Sequence, residues 1–142
     1  MGTITFTNRT SEIEYTGELK EVLRELSQEH YLRNAMLSQE TIVDADLHEA
    51  KLPFAYFAQS DLSGTNFKGA ILRYANFKEC DLRNCIFDGA DLEGAVFAGA
   101  NTEGASFKGA YMHNIKGMNL PADAIDAIAP KPEDMPSVHH WK

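Results

Sequence analysis

The residue types that do chemistry are few in this sequence, and their spacing does not suit catalysis. Cys80 and Cys85 form no C-x-x-C pair and stand near no histidines at metal-ligand spacing. His30, His48 and His113 are scattered singly. His139 and His140, beside Trp141, invite a metal or nucleic-acid reading, but adjacent histidines lack the spacing that makes ligands converge on one ion. No nucleophile elbow, phosphate-cradling glycine loop, H-E-x-x-H motif or Ser/His/Asp ordering occurs. The expectation is a protein with no catalytic residues, cofactor or metal.

Charge is the remaining chemical resource. Asp and Glu number 21 against 13 Lys and Arg, a formal net charge of −8, which disfavours direct nonspecific binding to nucleic acid or an anionic membrane. Basic proteins that normally hold DNA remain candidate partners. No apolar run approaches the roughly 20 residues that span a bilayer, and MGTITFTNRT lacks a basic stretch followed by an apolar one. With only two cysteines, the expected setting is a reducing cytoplasm.

The elements that must position these charges follow from a repeat of five. From residue 37 to 112 the large position holds Leu37, Ile42, Leu47, Leu52, Phe57, Leu62, Phe67, Leu72, Phe77, Leu82, Phe87, Leu92, Phe97, Thr102, Phe107 and Met112. Two residues before each stands a small one, from Ala35 to Ala110, with Glu40 the exception. A helix turning about 100° per residue would scatter the large side chains around its circumference. A straight strand would point successive ones to opposite faces, because five is odd. The chain must therefore turn a corner every five residues, with the large residue inward and the small one where backbone crowds backbone.

The alternation of Leu and Phe from Leu62 to Phe97 sets the number of sides. Three sides would mix Leu and Phe up every wall. Four give uniform columns: Phe57, Phe77 and Phe97; Leu62 and Leu82; Phe67, Phe87 and Phe107; Leu72 and Leu92. A coil of twenty residues follows, and an interior filled this way leaves no cavity for a substrate.

The units ADLHE, SDLSG, TNFKG, ANFKE, CDLRN, ADLEG and ASFKG resemble the A-(D/N)-L-x-x units of the pentapeptide-repeat family. The resemblance implies an all-β solenoid, a right-handed quadrilateral β-helix of about four coils. Thr102 and Glu40 depart from the pattern. A hydrogen-bonded hydroxyl is expected at the first and a frayed first coil at the second. Some members of the family mimic duplex DNA and inhibit or protect a DNA-handling enzyme such as gyrase.

The ends read differently, and the chain divides into 1–34, 35–116 and 117–142. Ile4 and Phe6, then Ile13 and Tyr15, flank the turn-prone Asn8-Arg9-Thr10-Ser11 and predict a β-hairpin. Leu19, Val22, Leu23 and Leu26 predict an amphipathic helix from Gly17 to about Glu29 that caps the first coil. Leu120 to Ile128, with Pro121 in its first turn, predicts a short C-terminal helix before a proline-rich tail.

Register sorts the outward residues into two candidate binding surfaces. The Leu62 wall gathers Asp44, Asp61, Asp81 and Glu103 against Arg83 alone. The edge between the Leu72 and Phe57 walls gathers Met36, Phe54, Tyr56, Tyr74 and Val96. Two functions then compete. The acidic wall would serve a DNA mimic that binds a gyrase-like enzyme or a nucleic-acid-guided defence complex, extended if need be by end-to-end homodimerisation. The aromatic edge would serve a rigid scaffold for another protein.

Overall fold

A computed structural model describes residues 2–6 and 12–118. The Asn8 to Ser11 turn, the helix expected from Leu120 to Ile128 and the tail with His139, His140 and Trp141 lie outside the described residues. β1 (Gly2–Phe6) and β2 (Glu12–Tyr15) pair antiparallel, α1 spans Leu19–Glu29, and β3 is Ala35–Met36.

From Met36 onward, every bridge between coils joins residues twenty apart, in parallel. One wall runs Met36, Tyr56, Asn76, Val96, Lys116, and the next Thr41, Asp61, Asp81, Asn101. The chain is thus four-sided, and each bridged residue precedes one that points inward. All the predicted large apolar residues from Leu37 to Phe107 are buried, most of them completely. Like stacks on like: Phe57 on Phe77 and Phe67 on Phe87 each lie 5.2 Å apart and within 6° of parallel. Across the interior the columns meet edge-on, as Phe67 does Phe77 at 6.2 Å and 75°. Both geometries suit the ring quadrupole.

Each corner is a tight turn. The Ser60 N–H donates to the Phe57 carbonyl at 3.0 Å, and Gln59 between them is left-handed, with φ 63°, as the third residue of a type II turn must be. Small residues at the closing position fit because the coil below is in contact. Where that residue is polar, it bonds downward. Ser60 Oγ donates to the Leu37 carbonyl at 2.7 Å, Thr65 Oγ1 to Ile42 at 2.6 Å, and the thiols of Cys80 and Cys85 to Phe57 and Leu62 at 3.0 Å each. Both thiols are free and buried.

Glu40 departs from the frayed coil expected there. Its N–H donates to Ser60 Oγ at 3.0 Å and its carbonyl accepts from Asp61 N–H at 2.9 Å, so the serine one coil up fastens it. Thr102 is half-buried, and its hydroxyl has no hydrogen-bond partner among the described residues. The hydrogen bond expected for it is not to protein among those residues, and half-exposure leaves the hydroxyl to solvent.

The first coil starts at Leu32, which is buried and whose N–H donates to the Lys51 carbonyl. Below it, β1 pairs antiparallel with β3, matching Thr5 to Met36 and Phe6 to Ala35, so the hairpin prolongs the Phe57 wall downward. α1 lies against the same end. Leu23 is fully buried, Leu19 and Leu26 pack on the core, and Ser27 is small enough for its carbonyl to accept Lys51 N–H at 2.8 Å. No helix of the described residues is long and apolar enough to cross a membrane.

Candidate functional site

The third residue of every corner turn projects from an edge of the rod, and its left-handed backbone favours glycine. On the edge between the Leu72 and Phe57 walls this column reads Asn34, Phe54, Tyr74, Gly94, Asn114. Phe54 and Tyr74 hold φ of 62° and 57°, an unfavourable region for bulky side chains. Their rings stack at 5.1 Å and 20°, and the Arg33 guanidinium covers the other face of Phe54 at 4.6 Å. The Tyr74 ring leans over Gly94 into space that a Cβ would fill. Glycine there is what lets the ring lie down.

Of the five residues predicted for this edge, the structure brings four into two neighbouring pairs. Phe54 stacks with Tyr74, and Met36 bridges Tyr56. Val96 is set apart, because Asn76 separates it from Tyr56 on the wall and uses its side-chain oxygen to accept Lys78 N–H. Tyr56 is 37% exposed and Tyr74 48%, the highest value among the large hydrophobic residues described. The hairpin pairs with Met36 at the foot of this edge and leaves both tyrosines open.

The acidic wall is less free than its sequence suggests. Asp61 and Asp81 are adjacent rungs. Asp61 accepts from the backbone and hydroxyl of Ser63 at 3.0 and 2.7 Å, while Asp81 takes Arg83 in a two-pronged ion pair at 2.7 and 2.9 Å. The Arg83 hydrogen bond holds the Asp81 carboxyl below its ordinary range, and Asp61 and Glu103 further favour the charged arginine. Asp44 and Glu103 are exposed, and the Asp44 side chain lies over Gly64 in the next coil.

Charge is divided between the sides of the rod. The Leu62 and Phe67 walls carry Glu40, Asp44, Asp46, Glu49, Asp61, Asp81, Asp88 and Glu103 against Lys68, Arg83 and Lys108. The Leu72 and Phe57 walls carry Arg33, Lys51, Arg73, Lys78 and Lys116 against Glu79, Asp91 and Glu93. Cations therefore accompany the aromatics, a feature that counting over the whole repeat conceals.

Two features of the aromatic side escaped the sequence reading. Arg33 stands twenty-one residues before Phe54, one coil down, and that spacing was the available signal. Arg73 bonds Asp91 at 2.8 Å and also pairs with Glu93, and Asp91 is the only buried charged residue among those described. Burial pushes its carboxyl pKa up, and the Arg73 hydrogen bond partly offsets this. Three charges are thus tied into the wall beside Tyr74. Among the described residues no three His, Cys, Asp or Glu side chains gather as a metal site.

A four-sided solenoid with five-residue sides, inward Leu and Phe columns and function left to its outer surface defines a class of repeat protein. Pentapeptide repeats match the chain in eight copies over residues 42–74, 50–89 and 75–114, more than half its length. The chain belongs to the pentapeptide-repeat family, whose architecture is the right-handed quadrilateral β-helix.

Among solved structures it is similar to HetL, a pentapeptide repeat protein involved in heterocyst differentiation regulation in the cyanobacterium Nostoc, at 28% identity and TM-score 0.41, covering 56% of this chain and 31% of HetL. A pentapeptide repeat protein of the Arabidopsis thaliana thylakoid lumen is similar at 24% identity and TM-score 0.45, covering 76% and 77% of the two chains. QnrB1, a plasmid-mediated fluoroquinolone resistance protein, is similar at 20% and 0.31, covering 66% of this chain and 52% of its own. The chain thus spans about a third of HetL's length and half of QnrB1's. A comparison with curated protein sequences finds no match.

Proposed function

We propose that the chain is a non-catalytic binding rod that engages a protein partner through its aromatic edge. One observation carries this reading: Phe54 and Tyr74 form a stacked pair on left-handed backbone, with Tyr74 48% exposed. A bulky residue in that conformation costs on the order of 1–3 kcal/mol, and the ring gains little burial in return. Against a partner, the same rigid ring becomes an anchor of the kind that dominates interface energetics. Tyr56 adjoins it, and the tied charges of Arg73, Asp91 and Glu93 stiffen the flank.

The one-sided placement of carboxylates favours a second reading, DNA mimicry by the Leu62 and Phe67 walls. The rod would then occupy the basic DNA-binding groove of an enzyme such as gyrase. Duplex of about 20 Å carries on the order of 12 charges, at about one per 1.7 Å, so eight carboxylates against three cations fall short unless dimers extend the surface.

One comparison separates the readings. Wild type, Tyr56→Ala with Tyr74→Asn, and Asp61→Lys with Asp81→Lys are each used to capture partners from the native host, and each is added to a gyrase supercoiling reaction. The edge reading expects a partner lost only by the tyrosine variant, and no effect on supercoiling. Loss only by the lysine variant, with duplex DNA competing for the same partner, would overturn it in favour of mimicry.

A further inference from the structure

The aromatic edge ends in a recess. Above Tyr74 the column continues with Gly94 and then Asn114, two coils and roughly 10 Å higher at the spacing of neighbouring strands. Gly94 sends no side chain into that interval. What remains is a hollow of ≈ 390 Å³ lined by Tyr74, Gly94, Asn114, Ile115 and Lys116. Its floor is the outer part of the Tyr74 ring, Ile115 adds a second apolar surface, and polarity comes from the Asn114 amide and the Lys116 ammonium.

We infer that this recess receives one aromatic side chain of the protein partner, flanked by a carboxylate. The inference rests on the reading of the edge as the interface and names what that interface takes. A planar ring laid on Tyr74 would extend the existing series of Arg33, Phe54 and Tyr74 by one member. The flanking acid follows from charge. Lys116 is exposed and forms no ion pair among the described residues, Arg33 and Lys78 stand on the same side, and the nearby Asp91 and Glu93 are engaged by Arg73. A single-stranded nucleic acid would also present rings and negative charge. The chain's net charge of −8 disfavours a polyanion, whereas a local carboxylate on a protein meets only the local cations.

The test uses the full-length, ¹⁵N-labelled chain and three probes: acetyl-Glu-Trp-Glu-amide, acetyl-Lys-Trp-Lys-amide and an oligo-dT of six nucleotides. The acidic peptide is expected to shift the amide resonances of Gly94, Asn114 and Lys116, and to do so at least about fivefold more tightly than the basic peptide, with the difference shrinking in salt. Tyr74→Asn should weaken the acidic peptide by about tenfold, the value of an aromatic stack. Lys116→Glu, at an exposed position, should reverse the preference between the two peptides. The proposal is overturned if the acidic peptide leaves these amides unmoved, if both peptides bind alike, or if oligo-dT moves them and the peptide does not. It is also overturned if the ligand-free chain shows a nuclear Overhauser contact between the Trp141 indole and Tyr74, which would make its own C-terminal segment the occupant. Should the peptide fail while Tyr56→Ala with Tyr74→Asn still abolishes capture of the native partner, the edge stands as the interface and only the recess is lost.

Discussion

The molecule stacks aromatic rings in two places with the same twenty-residue step and nearly the same separation. Inside, Phe57, Phe77 and Phe97 lie 5.2 Å apart, with exposures of 0 to 1%. On the corner, Phe54 and Tyr74 lie 5.1 Å apart, and Tyr74 is 48% exposed. The inner rings stand in the middle of a side, on extended backbone, with a second phenylalanine column edge-on to them. The outer pair stands two residues farther along, where the turn demands a left-handed backbone and glycine would serve better. One coil geometry thus makes a stable core and a sterically unfavourable surface feature. The difference separates what the fold requires from what it only tolerates, and a tolerated, costly feature is the better marker of function.

The sharpest way to break the comparison is to remove a ring from each stack. Phe77→Ala strips the middle of the inner column and the edge contacts to Phe67 and Phe87. It should cost about 3–5 kcal/mol, because the surrounding coils are fixed by backbone bonds and cannot collapse into the void. Urea unfolding measures this, and a loss under 1 kcal/mol would mean that the columns are not the source of stability.

Tyr74→Asn should change stability far less, within about 1 kcal/mol. It gives up a stacked pair worth about 0.5–1.5 kcal/mol, and asparagine relieves a similar amount of left-handed strain. The same urea titration reads it. A cost near that of Phe77→Ala would make the outer pair structural and remove the argument for an interface.

These contrasts also show how far the sequence was legible. The inner columns could be read in full, because a residue's fate there depends only on its phase in the five-residue period and on being apolar. The four-sided closure was legible because Leu62 to Phe97 alternate. Surface pairing was not, since it depends on which rotamer reaches which neighbour. Arg83 could be placed on the acidic wall, but not its two-pronged grip on Asp81. The downward bonds of Ser60 and Cys80 to carbonyls twenty-three residues earlier were hidden too, because "small" was the only property the pattern required there. Glu40 looked like a defect for the same reason: its anchor is a side chain in the following coil.

The two thiols sharpen the inside of the comparison. Burial pushes Cys80 up to about 11 and Cys85 up to about 12, from an ordinary 9.0. A thiolate is the reactive form, so native protein at pH 8 should resist alkylation by iodoacetamide, while protein in urea reacts at both sites. Because the folded pKa lies above the unfolded one, the folded state holds its protons longer. The associated stability is intact below about pH 9 and is lost progressively as pH rises toward 11 to 12. Melting temperatures from pH 8 to 11 should therefore fall more steeply for the wild type than for Cys80→Ala with Cys85→Ala, and parallel curves would contradict the burial argument.

The smallest expected effect belongs to the acidic wall, and there a null result is informative. Asp61 and Asp81 face outward, partly exposed, and their partners Ser63 and Arg83 lie on the same short side of the coil. Asp61→Lys with Asp81→Lys removes a solvent-screened ion pair at the surface and places three cations close together. Nothing in the core moves, so stability should change by no more than about 1 kcal/mol, with the deficit shrinking as salt screens the new repulsion. Partner capture decides the meaning. If the edge is the interface, binding stays within about twofold of wild type, because Asp61 and Asp81 stand on the Leu62 wall, a full side of the coil away from Tyr74. If the rod imitates DNA, binding collapses and duplex DNA competes for the same partner with a steep salt dependence. A protein that keeps its stability but loses its partner on this change alone would exchange the roles of the two surfaces, making the wall functional and the exposed rings incidental.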